Sequence, residues 1–162
     1  MKGLKIRSLT SEVAVETIEA FGASSTPMPF SELYGALQSG VVDGADQPLT
    51  GFYAQQYQEV AKHIVLDGHD ASPTIILMST RAWNSLSDEQ QQAVGEAQKA
   101  AADFFLDLDT SENQRIRAEL EDAGVSIVDV EDKAPWQDAV QPIIDQYSQE
   151  HGALIDAIRS EQ

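Results

Sequence analysis

The chain has no cysteine in its 162 residues, which removes disulfides, thiolate nucleophiles and cysteine-ligated metals. It is also poor in positive charge: 10 Lys and Arg stand against 27 Asp and Glu, a formal net charge of −17. Such a balance repels nucleic acid and anionic membrane faces, so neither is an expected partner. No apolar run is long enough to cross a bilayer. The opening residues "MKGLKIRSLT" hold no long apolar stretch and no small-residue cleavage site, so they do not read as a secretory signal. Glycine-rich phosphate loops and a GxSxG elbow are absent. The histidines His63, His69 and His151 lack metal-ligand spacing, and no cofactor is indicated. With 27 carboxylates, a paired acid and base has no selectivity as a signal, so an enzyme is not expected.

What is present is a globular composition, 42% apolar, with acids dispersed over many segments rather than gathered in a tail. Lys5 to Leu9 reads as a strand. "TSEVAVETIEAFG" follows as a helix, capped by Thr10 or Ser11 and ended at Gly22, with Val13, Ile18 and Phe21 roughly on one face. "STPMPF" is a short strand or extended link, since each proline pushes the residue before it toward extended geometry. "SELYGALQSG" is a second helix with Leu33, Leu37 and Tyr34 inward, and "VVDGAD" a third strand. Alternating strands and helices indicate βαβ units and a parallel sheet.

Beyond these units, "LTGFYAQQYQEVAKHIV" reads as a looser helical region and "PTIILMS" as a buried strand, because its apolar run is continuous. Ser87 and Gln90 fit a capping box. From there to Ala123 no proline occurs and Gly95 is the one glycine, so a single helix of about 35 residues, about 50 Å, is expected. Either it breaks near Gly95 or Asp109–Thr110, or it belongs to a larger two-lobed protein. "VSIVDV" is a further strand, and two short helices close the chain around Trp136 and Tyr147.

In open α/β sheets ligands bind at the carboxyl ends of the strands. Three side chains fall there. Arg7 ends the first strand. Its guanidinium either pairs with a surface carboxylate or offers a planar fork to a ligand carboxylate. Phe30 is either a core residue at a helix start or a pocket wall. Gln47 is either a turn residue bonded locally or an amide for a ligand, stiffened by Pro48. Each signal is weak alone; their placement at successive strand ends is what joins them.

At these residues the sequence resembles the substrate-binding proteins of tripartite ATP-independent periplasmic (TRAP) transporters, DctP type. "KGLKIR" and "GASSTPMPFSELYGALQSGVVDGADQP" are similar to that family's KGLKxR and its PTPMxF and VDGQENP elements, and "WNSLSDEQQQ" to the segment that opens its long helix. The resemblance implies an α/β, periplasmic-binding-protein-like lobe with a long lobe-spanning helix, incomplete relative to the two-lobed family fold. Residues 1–72 and 113–162 would form the second lobe. Residues 73–112 would give a strand and helix segment to the first, whose remainder is absent. It implies a non-enzymatic, periplasmic receptor that binds an organic acid carboxylate and delivers it to TRAP membrane subunits. Arg7 would bridge to the carboxylate, Phe30 would line the cleft, and Gln47 would take the place of the family's asparagine with one methylene more. His69 would lie near the ligand. The alternative is a structural unit that binds nothing tightly and forms a homodimer, by self-association or domain swapping, through surface exposed by truncation.

Overall fold

The computed structural model describes residues 1–70 and 75–160. The chain opens on β1 (Lys5–Ser8), α1 (Glu12–Ala20), β2 (Ser24–Pro27), α2 (Leu33–Ser39) and β3 (Gly44–Ala45). Ser11 caps α1 by accepting from the Ala14 amide, and Gly40 ends α2 in the left-handed region at φ 71°. The sheet order is β2-β1-β3, all parallel, with Arg7 opposite Thr26 on one side and Ala45 on the other. The crossover from β1 leads to β2 on one side and the next, from β2, passes β1 to reach β3 on the other, so the crevice at the carboxyl ends of β1 and β3 is a topological switch point. β1 is buried from Ile6 to Ser8 without alternation, as a central parallel strand should be.

On α1, Ile18 is buried but Val13 is exposed. Five residues turn a helix by about 140°, so Val13 and Ile18 cannot share one face. On α2, Leu33 is fully buried and joins Met28, Ala36, Val42 and Tyr57 in the core against this sheet, with Tyr34 and Leu37 packed on its edge.

The segment after β3 departs from the expected loose helix. α3 (Leu49–Ala54) is short. The chain then reverses at Gln56, which has φ 55°, makes a 3-10 turn over Tyr57–Glu59 and enters β4 (His63–Leu66). His-Ile-Val-Leu alternates exposed and half-buried, a strand period too short to stand out beside the apolar residues preceding it. β4 pairs in parallel with β5 (Ser126–Asp129), forming a second, two-stranded sheet.

Of the expected strand "PTIILMS", Pro73 and Thr74 lie outside the described residues. Ile75 to Ser79 make no ladder and are exposed, Leu77 to 86%. A continuous apolar run becomes a buried strand only where neighbours flank it, and no described strand pairs with this one. After α4 (Thr80–Trp83), α5 runs unbroken from Asp88 to Asp122, 35 residues, through both Gly95 and Asp109–Thr110. The Ser87–Gln90 capping box is formed. The buried residues of α5 are Ile116 and Leu120, near its carboxyl end, where they pack with Val125 against α3 and the second sheet. The chain closes on α6 (Ala134–Ser160), whose helical geometry is interrupted at His151 rather than between Trp136 and Tyr147. Both aromatics thus ride one helix, which carries Pro142 within it and packs on α1.

Candidate functional site

Arg7 is 3% exposed, although it carries a permanent charge. Its Nε donates to the Met28 carbonyl at 3.2 Å and its Nη1 to the Asp46 carbonyl at 3.4 Å. Met28 follows β2 and Asp46 follows β3, so the two flanking strands grip the guanidinium that ends the strand between them. No carboxylate among the described residues lies within ion-pairing distance of it. The surface ion pair of the ordinary reading is therefore not what forms. Buried charges are normally paired, and this one is held by neutral carbonyls alone.

Phe30 opens the 3-10 turn before α2, set by Pro29 in extended geometry, and is 41% exposed. Its ring meets Tyr57 edge-on at 6.2 Å. Phe30 is thus an exposed aromatic propped on a buried one rather than a core residue. Tyr57 itself is 2% exposed. Burial holds its phenol above the usual range, and the Arg7 charge pulls the other way without prevailing. Sequence reasoning missed Tyr57; the reversal at Gln56 that turns it inward has no glycine to announce it.

Gln47 is half-buried, and Pro48 after it caps α3 in extended geometry. Its side chain folds over Gly51 in the first turn of α3: a Cβ at Gly51 would stand 2.5 Å from the Gln47 Nε2. Glycine at 51 is what leaves room for the amide.

His69 does not stand free. Asp67, Gly68 and His69 make a tight turn in which the Asp67 carboxylate accepts from the His69 amide, and Gly68 takes φ 62°. The turn returns the ring to Asp67, with Nδ1 at 2.8 Å, while Nε2 reaches Asp46 at 3.5 Å. The hydrogen bonds to Asp46 and then to Asp67 push the imidazole up to about 10 against the opposing effect of burial. Burial would raise the Asp67 carboxyl, but the His69 contact outweighs it and holds it below the ordinary value. The edge of Phe21 lies 5.6 Å away, backed by Trp136 at 4.6 Å. Asp46, Gln47, Asp67 and His69 all border a cavity of about 500 Å³ between the neighbouring edges of β3 and β4, floored by apolar side chains such as Ile6, Phe52 and Ile64. Among the described residues, no acidic or histidine cluster could hold a metal ion.

Arg7 thus meets the Met28 and Asp46 carbonyls at the ends of three parallel strands, with Phe30 two residues past Met28 and Gln47 one past Asp46, while the cavity that Gln47 and His69 border is lined by neither Arg7 nor Phe30. This is the anatomy of a small-molecule-binding α/β lobe. The family model "Bacterial extracellular solute-binding protein, family 7" (DctP) matches residues 1–150, and the chain belongs to that family, the TRAP solute-binding proteins. A solute-binding protein of Chromohalobacter salexigens is 34% identical over 154 residues, covering 95% of this chain and 46% of the relative. A TRAP periplasmic solute-binding protein of Roseobacter denitrificans, solved with bound β-D-glucuronate, superposes with a TM-score of 0.86 at 35% identity, over 94% of this chain and 51% of that one. The open, ligand-free structure of a Citrobacter koseri TRAP solute-binding protein gives a TM-score of 0.89 at 33% identity, over 99% and 55%. The chain thus spans about half the length of these relatives.

Proposed function

We propose that this chain supplies the carboxylate-anchoring lobe of a TRAP receptor for an organic acid, with Arg7 as the anchor, Phe30 as a wall and Gln47 as a polar contact. The observation that carries the reading is Arg7: a buried guanidinium held by two carbonyls and lacking a carboxylate is a seat for an anion that arrives from outside. Relatives solved with glucuronate and galacturonate make sugar acids the first ligands to test. The receptor works in the periplasm, does no chemistry on its ligand and hands it to membrane subunits driven by an ion gradient. Among the described residues no helix is long and apolar enough to cross a membrane, which fits a component that meets the membrane through partners. Residues 1–72 and 113–162 form one lobe, and 73–112 run toward a second. The burial of α5 at Ile116 and Leu120 and its exposure before them support that division. Ligand contacts to both lobes then favour hinge closure.

The test is calorimetric titration of the full-length receptor with D-glucuronate, D-galacturonate and a C4-dicarboxylate. Arg7→Ala is expected to weaken the best ligand by about 2–5 kcal/mol. Undiminished affinity overturns the assignment.

A second reading has its own observation. Ile75 to Met78 and Phe104, Phe105 and Leu106 are exposed apolar residues on the extended segment and on α5. Such a surface favours self-association of the 162-residue chain into a homodimer or a domain-swapped unit. Light scattering that shows a monomer up to high concentration removes that reading.

A further inference from the structure

We infer that His69 is a positioning residue: it clasps Asp46 and Asp67 and so holds the Asp46 carbonyl on Arg7, instead of touching the ligand. This rests on the reading of Arg7 as the anion seat and replaces the expectation that His69 is itself a ligand contact. Both ring nitrogens face a carboxylate, Nδ1 hydrogen-bonded to Asp67 at 2.8 Å and Nε2 at ion-pair distance from Asp46, 3.5 Å.

The two partners come from different sheets. Asp46 follows β3 and Asp67 follows β4, and no ladder joins β3 to β4. Instead the cavity of about 500 Å³ lies between them, with His69 and both aspartates on its border. The clasp is therefore a polar tie across a gap that backbone hydrogen bonds do not close. Phe21 and Trp136 fix the ring from behind. The charged groups facing it are Asp46 and Asp67, with Lys133 beside the turn: its Nζ lies 2.8 Å from where a Cβ on Gly68 would stand.

The link to the anion seat is the Asp46 backbone. Its amide donates to the Arg7 carbonyl at 3.0 Å and fixes the residue on β1, while its own carbonyl accepts from Arg7 Nη1 at 3.4 Å, long for such a bond, so a turn of that carbonyl by a few tenths of an ångström breaks it. Without His69, two carboxylates that shared one imidazolium are left to repel each other, and Asp46 is the one whose movement disturbs Arg7. The loss of His69 then weakens ligand binding through Arg7 alone.

A double-mutant cycle separates this from a contact role. D-glucuronate is titrated at pH 7 into full-length receptor carrying His69→Gln, Arg7→Ala and both. His69→Gln is expected to weaken binding about tenfold when Arg7 is present and to cost nothing further in the Arg7→Ala background. The unaltered receptor is expected to bind with the same affinity from pH 6 to 8, because the clasped ring stays protonated throughout. Additive losses, an unchanged affinity in His69→Gln, or a titration of affinity near pH 6.5 each overturn the inference. An Arg7→Ala receptor that binds as well as the original overturns the anion seat, and the inference with it. If His69→Gln does not fold, Asp67→Asn, which breaks the shorter contact, takes its place in the cycle.

Discussion

Gly51→Ala separates stability from binding at this site. Gly51 lies in α3 with ordinary helical geometry, so its backbone does not require glycine. The requirement comes from Gln47: an added Cβ would meet its Nε2 at 2.5 Å, with Cδ at 3.5 Å and Cγ at 3.7 Å. The close atom is the end of a flexible side chain, so the amide swings away and the backbone stays. Moving Gln47 to another rotamer costs about 0.5–1 kcal/mol. Replacing glycine by alanine in a helix returns about the same, up to about 1 kcal/mol. Folding stability is thus expected to change by less than about 1 kcal/mol in urea denaturation, while affinity for D-glucuronate falls because the amide has left its place. Adding Gln47→Asn, which withdraws the amide by one methylene, should restore part of that affinity. A stability loss above about 2 kcal/mol, or full affinity in Gly51→Ala, refutes the reasoning.

Three further outcomes follow from the same structure. His69 is raised in the fold from 6.5 to about 10, so its stabilising contribution is complete below pH 6.5 and is lost as pH rises through about 10. Asp67 is lowered, so its contribution holds above its ordinary range and is lost only as pH falls through the depressed value. The stability difference between the unaltered chain and His69→Gln should shrink by about 2–3 kcal/mol from pH 6 to 10, allowing for partial exposure; a constant difference contradicts the clasp. Leu120 is 1% exposed at the junction of α5 with the second sheet, and Leu120→Ala should destabilise by about 2–4 kcal/mol in chemical denaturation. Phe105→Glu, on the open stretch of α5, should alter stability by less than about 0.5 kcal/mol and reduce any self-association seen by light scattering.

How much of this was readable from sequence depended on how local each signal was. The capping box at Ser87 and the missing proline after it marked the ends of α5 within a residue, because such signals are written locally, but they left open a break near Gly95 or Asp109–Thr110 that does not occur. The parallel sheet and its carboxyl edge, where Arg7, Phe30 and Gln47 were expected, followed from alternating strand and helix, but the strand order that makes a switch point there came only from the fold. β4 was not legible, since four residues of alternation vanish beside a neighbouring helix. Ile75 to Ser79 misled for the opposite reason: the pattern promised a strand, but a strand also needs neighbours, which a local pattern cannot supply. The His69 clasp depended on Asp46, 23 positions earlier, brought close only by the fold.

The hold on Arg7 bears on how such a site can change over generations. Its acceptors are the main-chain oxygens of Met28 and Asp46, and every amino acid carries a main-chain oxygen. A substitution at position 28 can reshape the rim, alter its polarity or resize the space above it without deleting the acceptor there. The cation is therefore shielded from most of the mutations that would retune its surroundings. A site built this way can drift from one acid to another while the charge at its floor stays where it is.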